Sequence, residues 1–395
     1  MQWISQTLAV TLLNLRTIPQ RLSSSGVAIV GIAGVVVVLV SVLSIAAGFT
    51  AAMEGSGSPS RALVMRTGAD SEMTSGLAGP DTDIIKQAPG LRRDGQTPMA
   101  SSELYVIIDL PKRSTGTAAN VPMRGVESTA FAVRDEVAIV EGRMFEFGTT
   151  EVIVGRGASG QFAGLTVGSV VQSGQSSWQV VGVFEADGGV AETEIWVDAR
   201  VLQGVYRRGN SFQSVLARLE SSEDFDRVRD FLTTNPQLNV QVRRESEYYA
   251  QQSQSLSRLI QGVGFGIAAL MGIGAVFGAI LTMYTAVSTR AREIATLRAL
   301  GFNGGSVVVS VLAESLALGA LGGILGGAGA YFGFNGYQTS TINFQTFSQV
   351  AFAFRVTPEL LIMGLFYALL LGLLGGLFPA IRAARLPIPT ALREL

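Results

Sequence analysis

The sequence predicts an α-helical membrane protein with a four-span bundle and a large mixed α/β extracytoplasmic domain inserted between spans 1 and 2. Three observations carry this. Apolar residues concentrate in 26–53, 259–289, 302–334 and 360–381 of the 395-residue chain, and a bilayer core needs roughly 20 such residues per helix. Residues 54–255 have ordinary soluble composition. Arginines gather at Arg16 and Arg21, at Arg290, Arg292 and Arg298, and at Arg382, Arg385 and Arg393, while the 335–357 loop holds only Arg355. By the positive-inside rule the N-terminus, the 288–301 loop and the C-terminus then share the cytoplasmic side.

Taken in order, residues 1–25 form an N-terminal cytoplasmic or interfacial segment. Its Trp3, Ile4, Leu8, Leu12, Leu13 and Leu15 suit an amphipathic helix lying in the membrane interface, the alternative being a disordered arm. The apolar run 26–49 exceeds the core of a cleavable signal, and no acidic residue occurs before Glu54, so 26–53 reads as a retained signal-anchor span. The domain at 54–257 shows strand-like runs at 62–66, 104–109, 151–154, 167–172, 178–184, 194–197, 213–219 and 239–243. Helices are expected over Asp81–Ala88 and from Ser221 to about Thr234; 68–80 and 111–120 read as loops. From Glu245 a polar stretch without a breaker leads into span 2 (258–288), predicting a helical stalk continuous with it. A charged segment (289–301), span 3 (302–334), a short outer loop (335–357), span 4 (358–381) and a cytoplasmic tail (382–395) complete the chain.

Composition excludes several function classes. The net charge of −1 gives no basic footprint for nucleic acid. Without histidine or cysteine there is no Ser-His-Asp triad, thiolate nucleophile, disulfide or ordinary zinc site. Neither lysine, Lys86 or Lys112, sits in a Gly-x-x-x-x-Gly-Lys-Ser/Thr phosphate loop. Asp81/Asp83 and Asp224/Asp226 stand at helix starts and read as solvated capping residues, so no metal site is expected. The chain is not expected to be an enzyme, and no catalytic residue or cofactor of its own is expected.

The spans carry patterned glycines: Gly319, Gly323 and Gly327 in span 3, Gly262–Gly266 and Gly274–Gly278 in span 2, Gly372 and Gly376 in span 4. Small residues four apart let helices approach closely in lipid. Packing within the chain and contacts in a dimer or sliding interface both fit this pattern. Glu314 is an acid near the cytoplasmic end of span 3; such a group is costly in a membrane and predicts an arginine partner from 288–301. In that segment a helical projection puts Arg290, Glu293, Ile294 and Leu297 on one side, with Arg298 at its margin and Arg292 and Thr296 opposite. Glu293 is placed to pair with Arg290 at i−3, and Gly301 suits a helix-closing left-handed residue. This is a small contact surface, or an ordinary positive-inside loop.

Thr289-Arg-Ala-Arg-Glu-Ile-Ala-Thr-Leu-Arg-Ala-Leu-Gly resembles the cytoplasmic coupling helix of MacB/FtsX-type ABC transporter permeases. Glu314-Ser315 matches that family's acid in the third span. The tail Phe378-Pro-Ala-Ile-Arg-Ala-Ala-Arg-Leu-Pro-Ile-Pro-Thr-Ala-Leu-Arg looks like its ending. In the outer domain Glu141-Gly-Arg-Met-Phe, Glu151-Val-Ile-Val-Gly and Val181-Gly-Val-Phe are similar to segments of such permeases. The resemblance implies ATPase coupling through Thr289, Arg290, Arg292, Glu293, Ile294, Leu297, Arg298 and Gly301. It implies a separate ABC ATPase subunit that binds ATP and Mg, a second permease copy or paralogue, and a periplasmic adaptor (membrane-fusion) protein as a further candidate partner. Export or extraction of a drug, peptide, lipid or lipoprotein from the periplasm or outer leaflet is the expected function, in a bacterial cytoplasmic (inner) membrane. The rival is an FtsX-like mechanotransmitter that regulates an extracytoplasmic enzyme or sensor without transport.

Overall fold

The computed structural model describes residues 22–343 and 348–388, with Thr7 and Thr11. Most of the expected interfacial arm, and Arg393 in the tail, lie outside these residues. Among the described residues four helices are long and apolar enough to cross a membrane: Leu22–Gly55, Glu245–Thr289, Gly304–Phe334 and Pro358–Ala384. Local signals set their ends. Asn303 caps the third, its side chain accepting from Gly305 N at 3.1 Å. The fourth starts at Pro358, whose missing N–H suits a first turn, behind the capping residue Thr357. Helix Glu245–Thr289 is unbroken, as the absence of a glycine or proline between Glu245 and Arg258 predicts.

The chain divides into two compact units. One comprises Met1–Ala47, Arg258–Tyr337 and Phe354–Leu395; the other comprises Gly48–Ser257 and Gln338–Ala353. In the first, glycines set how closely the helices approach. A Cβ on Gly319 would stand 2.8 Å from the Ala368 carbonyl, and one on Gly372 would stand 2.8 Å from the Ser315 carbonyl. One step round the third helix, Gly322 and Gly326 face the first helix at Ile32 and Ala33. Two adjacent small-residue rows on one helix thus serve two neighbours.

The second unit is built on a ten-stranded mixed sheet. Across it run Val240–Arg244, Arg61–Arg66, Ser214–Arg218, Ala100–Pro111, Ala118–Val126, Ile195–Asp198, Glu151–Gly155, Ser176–Glu185 and Ala138–Gly142, with Val170–Ser173 paired to Ser176–Glu185. The long strand Ala100–Pro111 is shared by two cores. Its start packs with Val64, Val215 and the helix Phe225–Thr234; its end packs with Val121, Val154, Trp178 and Val197. Helix Gly79–Ile85 starts two residues before the predicted one, and Asp81 accepts from Ala78 N at 3.2 Å as a capping carboxylate.

Three readings of the sequence need correction. Ala118–Val126 is a central strand, although its first residues fell in the predicted 111–120 loop and Pro122 and Gly125 argue against a strand. Ala138–Gly142 is an edge strand that the pattern did not signal. The expected outer loop 335–357 contains a hairpin, Gln338–Asn343 with Ser348–Ala353. It belongs to the sheet unit: Lys112 Nζ donates to Gln349 Oε1 at 3.2 Å and Phe352 meets Phe49 edge-on at 5.6 Å.

Candidate functional site

The 289–301 segment folds as a two-and-a-half-turn helix, Ala291–Ala299. Its end is a Schellman closure: Phe302 N donates to Leu297 O and Gly301 N to Arg298 O, both at 3.1 Å, with Gly301 at φ +95°. Its start is held by Arg290, which is buried and paired with the buried Glu314 of the third span helix. Arg298 Nη1 donates to Leu386 O at 2.7 Å. Ile294 packs with Met283, Val287, Val307 and Val311. Beside them lies a mostly apolar cleft of about 380 Å³, edged by Leu297 and the Arg290–Glu314 pair.

This arrangement redistributes the predicted residues. The expected face of Arg290, Glu293, Ile294 and Leu297 is not a single exposed surface. Arg290 and Ile294 turn inward, Leu297 and Arg298 are half-buried, and Thr289, Arg292, Glu293, Thr296, Leu300 and Gly301 are exposed. The i−3 pair of Arg290 with Glu293 is replaced by Arg290 with Glu314. A guanidinium removed from water gains most from a carboxylate that is equally shielded, whereas Glu293 stays hydrated. Of the packing glycines, Gly319 and Gly323 meet the fourth helix at Ala368, Gly372 and Gly376 meet the third at Ser315, and Gly327 is looser against Leu361.

The sheet unit holds a second constellation that sequence reasoning missed. Arg124 is buried among three carboxylates: Nη1 donates to Glu72 Oε1 at 2.8 Å and Glu103 Oε2 at 2.7 Å, and Nε to Glu194 Oε2 at 2.7 Å. Arg134 Nη2 donates to Glu103 Oε2 at 2.9 Å, Ser214 Oγ to Glu72 at 2.6 Å, and Trp196 Nε1 to Glu194 at 2.8 Å. Arg61 bridges Glu136 and the buried Glu245 at the start of the stalk. Burial opposes the charge on Glu103, but Arg134 and then Arg124 outweigh it and hold its carboxyl below the usual range. The available signal was a charge inside otherwise apolar strand runs: Glu103 before Leu-Tyr-Val-Ile-Ile, Arg124 after Val-Pro-Met, Glu194 before Ile-Trp-Val. The network joins five strands and the stalk helix. Every charge in it has a partner, so it reads as a rigid structural joint.

A family model described as the MacB-like periplasmic core domain matches residues 25–234, more than half of the chain. A second, described as the FtsX-like permease C-terminal, matches residues 265–388. The chain belongs to the MacB/FtsX-type permeases. Similar proteins include the macrolide export ATP-binding/permease protein MacB of Hyphomonas neptunium, 26% identical over 352 residues, covering 80% of this chain and 52% of that protein. The MacB of Pasteurella multocida is 26% identical over 339 residues, with 80% and 48% covered. The chain spans about half the length of these curated relatives. Among solved structures, the periplasmic region of MacB from Actinobacillus actinomycetemcomitans matches at 11% identity and TM-score 0.37, over 49% of this chain and 92% of that one. The extracellular domain of YknZ from Gram-positive bacteria matches at 17% and 0.35, over 46% and 99%. With four helices able to cross a membrane and a match to the periplasmic core model, this MacB/FtsX-type permease is a membrane protein with an extracytoplasmic domain.

Proposed function

We propose that this permease couples ATP hydrolysis in an ABC ATPase subunit to export or extraction of a substrate from the periplasm or outer leaflet. The supporting observation is the helix Ala291–Ala299: anchored by Arg290–Glu314 and Arg298–Leu386, it presents Arg292, Glu293, Thr296 and Leu300 outward. Two opposite charges and an exposed leucine on a rigid helix make a compact protein contact, in which an ATPase carrying the phosphate loop absent from these 395 residues would dock. ATP and Mg belong to that partner. A second permease copy or paralogue completes the transporter; ATP binding draws the two together, and the unbroken helix Glu245–Thr289 carries the closure outward. The assembly sits in a bacterial cytoplasmic membrane with both termini cytoplasmic, and a membrane-fusion adaptor is a further partner. Relatives named for macrolide export favour export over FtsX-like signalling to an enzyme or sensor.

The test is reconstitution with the candidate ATPase in nanodiscs. The exposed charges are reversed by Arg292→Glu with Glu293→Lys, and permease-stimulated ATPase activity is measured. A loss of about tenfold or more, the scale of one contact worth about 1.4 kcal/mol, is expected. Full stimulation by a folded double variant would sink this docking surface.

A further inference from the structure

We infer that the extracytoplasmic unit carries a binding site for a small zwitterionic solute of amino-acid size, between the turn at residues 70–74 and the start of helix Glu245–Thr289. A cavity of about 260 Å³ lies there, lined by Asp70, Ser71, Arg243, Tyr248 and Gln252 among others. That is just below the low end of drug-sized pockets, about 300 Å³, and suits a solute of amino-acid size. Tyr248 and Gln252, four residues apart, share one helix face.

Two of the residues lining this cavity carry a buried polar atom without a hydrogen-bond partner among the described residues: Ser71 Oγ and Gln252 Nε2. Ser71 is 1% exposed and Gln252 4%. The other end of the Gln252 amide is fixed, because its Oε1 accepts from Asn343 Nδ2 at 2.8 Å, so the NH2 group is the unsatisfied one. Buried donors left unpaired are costly, and two in one polar cavity point to an occupant that accepts hydrogen bonds. Arg243 adds a cation. It gives Nη1 to Gln251 at 2.7 Å and Nη2 to Gln241 at 3.3 Å, and has further N–H groups. Gln252, Ser71 and Arg243 together suit a carboxylate. Asp70, exposed and without an ion pair among the described residues, suits an ammonium group. A neutral polyol would leave both charges unused. A bound zwitterion would tie the 70–74 turn to the stalk.

The experiment uses the full chain in nanodiscs without an ATPase, so it stands apart from the proposed coupling. L-alanine, N-acetyl-L-alanine, L-alaninamide, dialanine and glucose are titrated by calorimetry and by thermal melting. L-alanine is expected to bind saturably, with acetylation or amidation weakening it at least about tenfold and glucose not binding. Dialanine distinguishes a free amino acid from a short peptide as the source. Gln252→Glu keeps the acceptor facing Asn343 while removing the donors, and should weaken L-alanine at least about tenfold. Asp70→Asn should weaken L-alanine but leave N-acetyl-L-alanine unchanged, a difference that misfolding cannot mimic. Should Gln252→Glu fail to fold, Ser71→Ala replaces it with the same expected direction. Absence of heat with every probe up to the order of 10 mM means the cavity holds water only and overturns the inference. So does equal binding of the amide or glucose, or unchanged affinity in the variants.

Discussion

The two units solve burial of charge in opposite ways. The sheet unit places Arg61, Arg124 and Arg134 among Glu72, Glu103, Glu194 and Glu245, and satisfies them with one another, a serine and a tryptophan. Among the described residues the membrane-type unit has one buried ion pair, Arg290–Glu314, and its helices approach closely at glycines, with a few side-chain hydrogen bonds such as Tyr367 to the Ala268 carbonyl. The difference follows from the solvent. A domain folded in water gains a hydrophobic core from its surroundings and can commit buried charges to fixing a unique joint. Helices in lipid gain little from apolar burial, so packing at small residues carries more of the association.

The largest effect is expected at the network. Arg124→Met leaves three buried carboxylates without their shared cation, and breaking a buried cluster in this way costs about 3–5 kcal/mol. A melt followed by tryptophan emission, with Trp178 and Trp196 both in this unit, should show the domain unfolding early; an unchanged midpoint would mean the network contributes nothing net. The same joint has a pH signature. Glu103 is held below its ordinary value when folded, so its contribution is fully present above the unfolded value of about 4.3 and is lost as pH falls through the lower folded value. In Glu103→Gln the acid limb of the stability profile should be shallower.

Much of this contrast was legible from residues alone. Four apolar runs give the helices, the unbroken 245–258 stretch gives the stalk, and a lone Glu314 demanded an arginine. The choice of Arg290 over Arg298 was not legible, because Arg298 reaches the Leu386 carbonyl, a contact between residues 88 apart. The buried network also escaped: Glu103, Arg124 and Glu194 each stand out as a charge in an apolar strand run, but only strand pairing brings Glu103 and Arg124 together. Pro122 hid the strand that carries Arg124, since a proline there pairs with Ile107 without donating to the ladder.

The next effect sharpens the membrane side of the comparison. Arg290→Met alone strands Glu314 and should lower stability by about 3–5 kcal/mol, whereas Arg290→Met with Glu314→Leu should recover most of it. If the two changes were simply additive in thermal melts of the full chain, the pair would not be coupled and the anchor of the Ala291–Ala299 helix would lie elsewhere.

The smallest effects compare two kinds of glycine in the spans. A methyl on Gly319 would stand 2.8 Å from the Ala368 carbonyl and its carbon would approach Gly372 Cα at 3.3 Å, so neither side can yield by rotating a side chain. Gly319→Ala should therefore cost about 1–3 kcal/mol through overpacking, despite a helix-propensity gain of about 0.5–1 kcal/mol. Gly274 has nothing within 4 Å of its Cβ position, on a helix that also exposes Leu270, Ile273 and Phe277. Gly274→Ala should be neutral or slightly stabilising in the isolated permease. The informative variant is Gly274→Leu, read by the mass of the detergent-solubilised complex. If this face meets only lipid, the added side chain changes nothing. If it packs against a second permease, the dimer fraction falls while the monomer still melts normally, and the Gly274 face then serves assembly while Gly264 and Gly272 of the same helix serve the fold.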